Sequence, residues 1–306
     1  MTSIQWYPGH MAKTMHTLHE QLSRCDTVLE LCDARAPLSS RNPQLVQAVG
    51  EKKRILLLGK ADLADPLVTR AWLDAFRAEG QTAYALDGRQ MKQTRELQKI
   101  LFEAHREILA RAQARGRLNR PIRLMVAGIP NVGKSTLINS LLGRKKAQTA
   151  NRPGVTRSFQ WLKAGSGLEL LDSPGLLWPK LDTRTAQISL GAIAAIKDDI
   201  MPLEELAGEL LLLLHGRYPQ LLCKRLQLPL PAPETWALLS QQEQSSACLE
   251  AYARRYSFLL QGCAADLPRS ARHILKAFRE GAWGPLSLEV PDKETHLSDR
   301  TLDKEG

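Results

Sequence analysis

The chain has 306 residues, a formal net charge of +10 and 43% hydrophobic residues. This apolar content is enough for packed cores, which excludes wholesale disorder, and the length fits two domains or one large domain with an appendage. The charge is concentrated, because residues 100–157 contain twelve Lys and Arg against Glu103 and Glu107. Such a segment is either a solvated basic face or a surface for a polyanion such as nucleic acid.

The five cysteines occur without a C-x-x-C pair or a neighbouring His cluster; they are Cys25, Cys32, Cys223, Cys248 and Cys263. We interpret them as reduced thiols, most of them buried, with no structural metal. The N-terminus lacks the apolar core of a secretory signal, and the longest apolar run, five leucines at 210–214, is too short to span a bilayer. We therefore expect a cytoplasmic protein that makes no membrane contact and acts as a monomer.

Six apolar segments between residues 27 and 175 have the composition of β-strands and alternate with amphipathic helical segments. Several are continuously apolar, as parallel strands are when helices cover both faces of their sheet. The pattern predicts an α/β fold with a doubly wound, mostly parallel sheet. The predicted strands are 27–34, 53–62, 82–87, 122–130, 159–164 and 168–175.

After about residue 180 the strand pattern fades and helical periodicity continues to about residue 283. We predict a first domain at 1–180, an all-helical domain at 181–290 and a polar tail at 291–306. Two amphipathic helices of this second domain leave arginines on their outer face. Their predicted core residues are Leu249, Tyr252, Tyr256, Leu275 and Phe278.

Residues 128–135 read GIPNVGKS, which fits the phosphate-binding pattern G-x-x-x-x-G-K-[ST], and they lie between a predicted strand and a predicted helix. The glycines let backbone N–H groups surround phosphates in front of the helix N-terminus. Lys134 is expected to reach the β- and γ-phosphates, and the Ser135 hydroxyl to bind Mg²⁺. The predicted nucleotide contacts in this loop are Asn131, Val132, Gly133, Lys134, Ser135 and Thr136.

A second segment, LELLDSPG at 168–175, supplies the partner of the phosphate loop. Asp172, at the end of its apolar strand, is placed to hold the metal, and Gly175 to sense the γ-phosphate through its backbone. Between the two motifs, Thr156 is the candidate switch residue that closes on Mg²⁺ and the γ-phosphate.

The base-reading residues precede the phosphate loop. An apolar strand ends at Gly59 and is followed by the pattern Lys60-x-Asp62. No N-K-x-D motif follows DSPG, where a GTPase usually carries it. We interpret Asp62 as the acceptor for guanine N1–H and its exocyclic amine, with the Lys60 stem along the base and the Leu86 N–H near the guanine oxygen. The domain is therefore predicted to be circularly permuted, which the proximity of ordinary domain termini permits.

These motifs resemble the circularly permuted GTPases, and among them the ribosome biogenesis GTPase A family. The resemblance extends over nearly the whole chain and includes WYPGHMAK (6–13), DARAPLSSRNP (33–43), GKAD (59–62), RPGVT (152–156) and RSARHILKAFREGAWGPLSLE (269–289). It implies a cytoplasmic GTPase that acts late in large-subunit assembly, with a helical domain on ribosomal RNA. The candidate RNA contacts are Arg144, Lys145, Lys146, Arg254, Arg255, Arg272 and Arg279.

The chain departs from the family at Gly59, where an Asn usually bonds guanine N7 and braces the phosphate loop. Loss of one such hydrogen bond costs about 0.5–1.5 kcal/mol, which predicts severalfold weaker binding without a change of base. Leu176 occupies the position of the water-orienting Gln found in many GTPases, so hydrolysis needs another group.

Two candidates for that group follow from the resemblance. Asn131 is similar to the Asn that coordinates a K⁺ ion beside the phosphates, although a turn role alone would also explain it. His10 matches a family histidine implicated in catalysis, although a structural role or an RNA contact is open. With either group, we expect hydrolysis to be slow in the isolated protein and to be stimulated by the ribosome.

Three other functions remain open at this point. One is a permuted GTPase acting on the small subunit, which would carry an OB-fold and a zinc module that this sequence lacks. Another is a nucleotide-gated RNA-binding module with negligible catalysis, motivated by Leu176 and Gly59. The third is a P-loop kinase or ATPase, which the segments KAD (60–62) and PGVT (153–156) make improbable.

Overall fold

The fold is that of a computed structural model, which describes residues 16–116, 121–143, 159–164, 167–175 and 183–291. Several residues of the sequence predictions lie outside these ranges: His10, Arg144, Lys145, Lys146, Thr156 and Leu176. The polar tail from residue 292 onward lies outside them as well.

The predicted sheet is confirmed, with six strands in the order β3-β2-β1-β4-β6-β5. All neighbouring pairs are parallel except β5 with β6. The strands are β1 (Thr27–Asp33), β2 (Arg54–Gly59), β3 (Ala83–Leu86), β4 (Ile122–Ala127), β5 (Gln160–Ala164) and β6 (Leu168–Asp172). Each of them falls within a segment that the sequence predicts as a strand.

Strand β1 lies at the centre and joins the two halves of the sheet. Leu29 pairs with Ile55 of β2 on one side and with Val126 of β4 on the other. Every residue of β1 is buried, and its sequence is apolar apart from Thr27, Glu30 and Asp33. Because β1, β2, β3, β4 and β6 are parallel, their carboxyl ends meet at one edge of the sheet.

Several helices begin at local capping signals. Asn42 Oδ1 accepts from the Gln44 N–H at 2.9 Å before the first helix, and a reciprocal capping box joins Ser240 and Glu243. Alongside the sheet lie α1 (Pro43–Val49), α2 (Pro66–Ala78), α3 (Met91–Ala104), α4 (Arg106–Ala114) and α5 (Lys134–Leu142). The C-terminal helices are α6 (Arg184–Ala192), α7 (Leu203–Arg217), α8 (Pro233–Leu238), α9 (Gln241–Arg255) and α10 (Leu267–Glu280), with a π-helical turn at Leu221–Arg225.

One continuous apolar core joins the sheet to the C-terminal helices. It contains Val126 and Leu137 on the sheet side and Leu210 on the helical side. The predicted boundary near residue 180 is therefore crossed by packed side chains, and the division into domains stays a prediction. Among the described residues, no helix has the length and apolar content required to cross a membrane.

The predicted core of the helical part is correct for Leu249, Tyr252, Leu275 and Phe278, which are all buried. It is wrong for Tyr256, which is 37% exposed. Tyr256 is the C-cap of α9, so the chain leaves the helix there and the ring stacks on the outside of Tyr252, with centroids 4.4 Å apart.

Helix α7 packs closely against α9 at Gly208. A Cβ at this position would lie 2.5 Å from Ser245 Oγ and 2.7 Å from the Ser245 carbonyl oxygen. We expect Gly208→Ala to lower the free energy of unfolding by about 1–3 kcal/mol, because an added methyl group overpacks the interface.

Gly216 is the matched control, since it lies in the same helix and a Cβ there would meet nothing within 4 Å. Gly216→Ala should leave stability unchanged or raise it by up to about 1 kcal/mol, because Ala has the higher helix propensity. Urea unfolding of both variants measures the difference. Equal stabilities would contradict the close α7–α9 contact.

Candidate nucleotide-binding site

A cleft of about 490 Å³ opens at the carboxyl edge of the sheet. It is lined by residues of both predicted motifs, although about seventy residues separate them along the chain. The first motif contributes Gly59, Lys60, Asp62 and Leu86, and the second contributes Asn131, Val132, Gly133 and Thr136. The structure therefore brings these residues into one cleft, whereas Lys134 and Ser135 of the phosphate loop do not line it.

The phosphate loop connects β4 to α5 and depends on its glycines. Gly128 has a φ of 153°, and a Cβ there would lie 2.3 Å from the Leu31 carbonyl oxygen. Gly133 is the N-cap of α5 with a φ of 102°, a conformation that favours glycine. The loop thus presents its backbone and the positive end of α5 to the cleft.

Lys134 is buried within this loop. Its Nζ donates to the carbonyl oxygens of Gly128 at 3.1 Å and Ile129 at 2.8 Å. Burial lowers the pKa of Lys134 to about 8, and nearby Asp172 partly opposes that shift. The ammonium group is therefore held by the loop's own carbonyls, where bound phosphates would be stronger partners.

Two of the predicted metal-binding residues, Ser135 and Asp172, lie at the phosphate loop and outside the cleft lining. Asp172 ends β6 and is buried, and Ser135 is in the first turn of α5. A carboxylate, a hydroxyl and phosphate oxygens form the hard donor set that Mg²⁺ prefers, so these residues fit that ion. A Cβ at Gly175 would lie 2.8–2.9 Å from Pro130, so the segment after β6 passes directly against the phosphate loop.

The base-reading acid has a cationic partner that sequence reasoning missed. Arg89 donates through Nη2 to Asp62 and through Nε to Asp87 Oδ1, the latter at 3.0 Å. Both Arg89 and Asp87 line the cleft. Their position directly after Leu86 was the only feature of the sequence that pointed to these two residues. Asp62 therefore has a cationic partner within the cleft.

Gly59 lies directly against the phosphate loop. A Cβ there would lie 3.0 Å from the Val132 carbonyl oxygen and 3.3 Å from Leu31 Cδ1. In this chain the end of β2 thus approaches the loop through its backbone, at the position where the family resemblance expects an Asn. The weaker nucleotide affinity expected from this change stays a prediction.

Asn131 connects the phosphate loop to the helical domain. It has a φ of 62°, and its Nδ2 donates to the Ile193 carbonyl oxygen at 3.0 Å. The amide oxygen is then the atom that would coordinate a cation. The conformation also fits the turn role that the sequence left open.

The helical domain forms part of the cleft wall, which the sequence did not predict. Ile193 and Ala194 line the cleft after α6, as do Lys276, Arg279 and Glu280 of α10. The prediction that Arg279 faces outward is wrong. Its guanidinium donates to Asp198 and to the carbonyl oxygens of Gly191 at 2.8 Å and Ala192 at 3.1 Å.

Three of the other candidate RNA contacts are exposed, as expected: Arg254, Arg255 and Arg272. Arg279 differs because α10 turns its last residues toward α6. The carbonyls at the end of α6 accept its hydrogen bonds there.

Known proteins are similar to this chain in both sequence and fold. Ribosome biogenesis GTPase A from Priestia megaterium is 40% identical over 292 residues, which is 95% of this chain and 98% of the relative. The protein of the same name from Bacillus licheniformis is 40% identical over 289 residues, 94% of this chain and 99% of that protein.

The chain belongs to the ribosome biogenesis GTPase A family.

Other comparisons agree with membership of the ribosome biogenesis GTPase A family. A family model described as 50S ribosome-binding GTPase matches residues 123–215, which begin in β4 and include the phosphate loop but not Asp62. The crystal structure of GNP-bound YlqF from T. maritima has the same fold, with a TM-score of 0.58 and 21% identity; the match covers 92% of this chain and 99% of that one.

Membership of this family excludes the P-loop kinase or ATPase and the small-subunit GTPase as functions of the chain. It identifies the chain as a GTPase. P-loop GTPases generally bind their nucleotide with Mg²⁺, which agrees with the oxygen donors of Ser135 and Asp172.

We expect Arg89→Gln to raise the affinity for GDP about two- to fivefold, because the base no longer competes with a guanidinium for Asp62 and exposed ion pairs are worth about 0.2–1 kcal/mol. Arg77→Gln is the matched control, because Arg77 forms a comparable exposed pair with Asp74, 3.3 Å away and outside the cleft. Titration with GDP measures both variants. A loss of affinity in Arg89→Gln would show instead that Arg89 binds the nucleotide.

Proposed function

We propose that the chain binds GTP with Mg²⁺, hydrolyses it and acts in assembly of the large ribosomal subunit. The observation that carries this proposal is the single cleft shared by Asp62 and the phosphate loop. The relatives named ribosome biogenesis GTPase A and the 50S ribosome-binding GTPase family model support the ribosomal partner.

Each nucleotide moiety has a proposed set of contacts. Asp62 accepts from guanine N1–H and the exocyclic amine, and the Leu86 N–H donates to the guanine oxygen. The loop N–H groups and Lys134 hold the phosphates. Adenine is rejected because its unprotonated N1 offers the Asp62 carboxylate no hydrogen to accept. Ser135, Thr156 and Asp172 would hold Mg²⁺, which neutralises charge on the β- and γ-phosphates when bound.

Hydrolysis requires a group that replaces the missing Gln. We assign K⁺ coordination to the Asn131 amide oxygen, where the ion would offset charge that develops between the β- and γ-phosphates. His10 is the proposed water-positioning residue, because a neutral imidazole accepts a proton near pH 7. We propose that ribosome binding orders the groups around the γ-phosphate, so turnover is slow in the free protein and stimulated on the ribosome.

Ribosomal RNA is the proposed partner of basic side chains in the C-terminal helices and in the segment after α5. Arg254 and Arg255 at the end of α9 and Arg272 on α10 belong to the helical domain, and Arg144, Lys145 and Lys146 follow α5 in the sequence. Cations of this kind bind phosphates without reading bases, so binding should weaken steeply as salt rises. We place this activity in the cytoplasm and assign it to a monomer.

The test is co-sedimentation with isolated large and small subunits, combined with single-turnover GTP hydrolysis with and without each subunit. We expect binding and faster hydrolysis with the large subunit alone. Binding without any hydrolysis would favour the alternative, a nucleotide-gated RNA-binding module. Binding to neither subunit would contradict the proposed function.

A separate prediction concerns K⁺. At equal ionic strength we expect GTP turnover to be about tenfold or more faster in KCl than in NaCl, because a bound cation stabilises transition-state charge. Asn131→Ala should remove the difference between the two salts. Identical rates for the unmodified protein in KCl and NaCl would contradict a role for the ion.

A further inference from the structure

After α10 the chain returns to the carboxyl edge of the sheet. Residues 286–289, here called the C-terminal strap, read LSLE, and all four are buried. The turn that ends α10 packs against the loop after β2, because a Cβ at Gly281 would lie 2.7 Å from Leu63 Cδ2. Burial of Ser287 and Glu289 requires hydrogen-bond partners, and the strap finds them on two loops of the nucleotide-binding half.

The first of these loops carries the base-reading residues. The Leu286 N–H donates to the Leu63 carbonyl oxygen at 3.0 Å, and the Asp65 N–H donates to Ser287 Oγ at 3.1 Å. Tyr218, the C-cap residue of α7, completes the arrangement, because its hydroxyl accepts from the Ser287 N–H at 3.0 Å and donates to Asp65 Oδ2 at 3.3 Å. Hydrogen bonds from the helical domain thus fix the backbone that immediately follows Asp62.

The second loop follows β1. The Leu288 N–H donates to the Arg35 carbonyl oxygen at 2.7 Å. The Glu289 carboxylate accepts from the N–H groups of Leu38 at 2.7 Å and Ser39 at 3.1 Å. The strap therefore lies across the ends of both β1 and β2.

A buried ion cluster connects the same two loops to α10. Arg35 donates to both oxygens of Asp33 at 2.9 Å and to the Phe278 carbonyl oxygen at 3.3 Å. Lys60 Nζ lies 3.2 Å from Asp33 Oδ2. Burial alone would raise the pKa of Asp33, but Arg35 and Lys60 hold it well below its usual range.

We propose that the strap and Arg35 are positioning elements for guanine recognition, which fix the loop carrying Lys60 and Asp62 from the helical domain. This inference rests on the proposed role of Asp62 as the guanine reader. Lys60 has a left-handed φ of 55°, and residues 61–63 form a single 3₁₀ turn, so the loop has little regular structure of its own. Gly59, directly before this loop, has no side chain that could hold it. The hydrogen bonds from the helical domain hold the loop in place instead.

Recognition of the exocyclic amine is the property most sensitive to this bracing. Guanine and hypoxanthine differ by that amine alone, and Asp62 must lie within hydrogen-bonding distance to distinguish them. A displaced Asp62 loses the amine contact before the phosphate contacts change. By linkage, guanine binding in turn stabilises docking of the helical domain on this edge of the sheet.

The experiment compares GDP with IDP, whose base is hypoxanthine, by titration of the full-length chain. The variants are Ser287→Ala and Tyr218→Phe, and each removes hydrogen bonds to Asp65 or to the strap. Ser246→Ala is the matched control, because Ser246 is exposed on α9 and distant in sequence from the strap. Thermal unfolding of every variant is recorded alongside the titrations.

We expect the unmodified chain to prefer GDP over IDP by about tenfold or more, as a hydrogen bond to a charged group implies. The two strap variants should lose about three- to tenfold in GDP affinity and less in IDP affinity, so that the preference falls. Ser246→Ala should match the unmodified chain in both affinities.

An unchanged preference in both strap variants would overturn the inference. An equal loss for GDP and IDP would also overturn it, since it would show a general loss of structure instead of a displaced Asp62. A different failure would concern the proposed function itself. If the unmodified chain bound GDP, IDP and ADP equally, Asp62 would not be the guanine reader, and the positioning role would fall with that assignment.

Discussion

The parallel pairing of β1 with both β2 and β4 is the constraint on which the site depends. Parallel strands present their carboxyl ends at a common edge, whatever their order along the chain. β2 and β3 bring Gly59 and Leu86 to that edge, and β4 leads there into the phosphate loop. The chain can therefore encode the base-reading half before the phosphate-binding half and still form one cleft.

The helical domain belongs to this site as much as the sheet does. Ile193 accepts a hydrogen bond from Asn131 at the phosphate end, while the strap and Phe278 hold the loops at the base end. The apolar core continues between the two parts without a break. Such contacts give both the phosphate loop and the loops after β1 and β2 a direct physical connection to the helical domain.

The charged side chains in and around the cleft are paired within the protein. Lys134 donates to loop carbonyls, Asp62 accepts from Arg89, and Asp33 is enclosed by Arg35 and Lys60. Pairing avoids the large cost of leaving a buried charge without a partner. Under the proposed function, nucleotide binding at Lys134 and Asp62 is an exchange of partners, whereas the buried Asp33 carboxylate has a structural role through Arg35 and Lys60.

The sequence by itself determined the six strands, the phosphate loop and the permuted order. These depend on local patterns: apolar runs, the glycines at 128 and 133, and an acid at the end of a strand. Only the tertiary structure decided the pairing of Arg89 with Asp62, the inward direction of Arg279 and the course of the strap. Each of these joins side chains or backbone groups through packing between elements, and most span long stretches of chain. No local periodicity encodes such contacts, because their energy comes from partners that meet only after the sheet and the helices have packed.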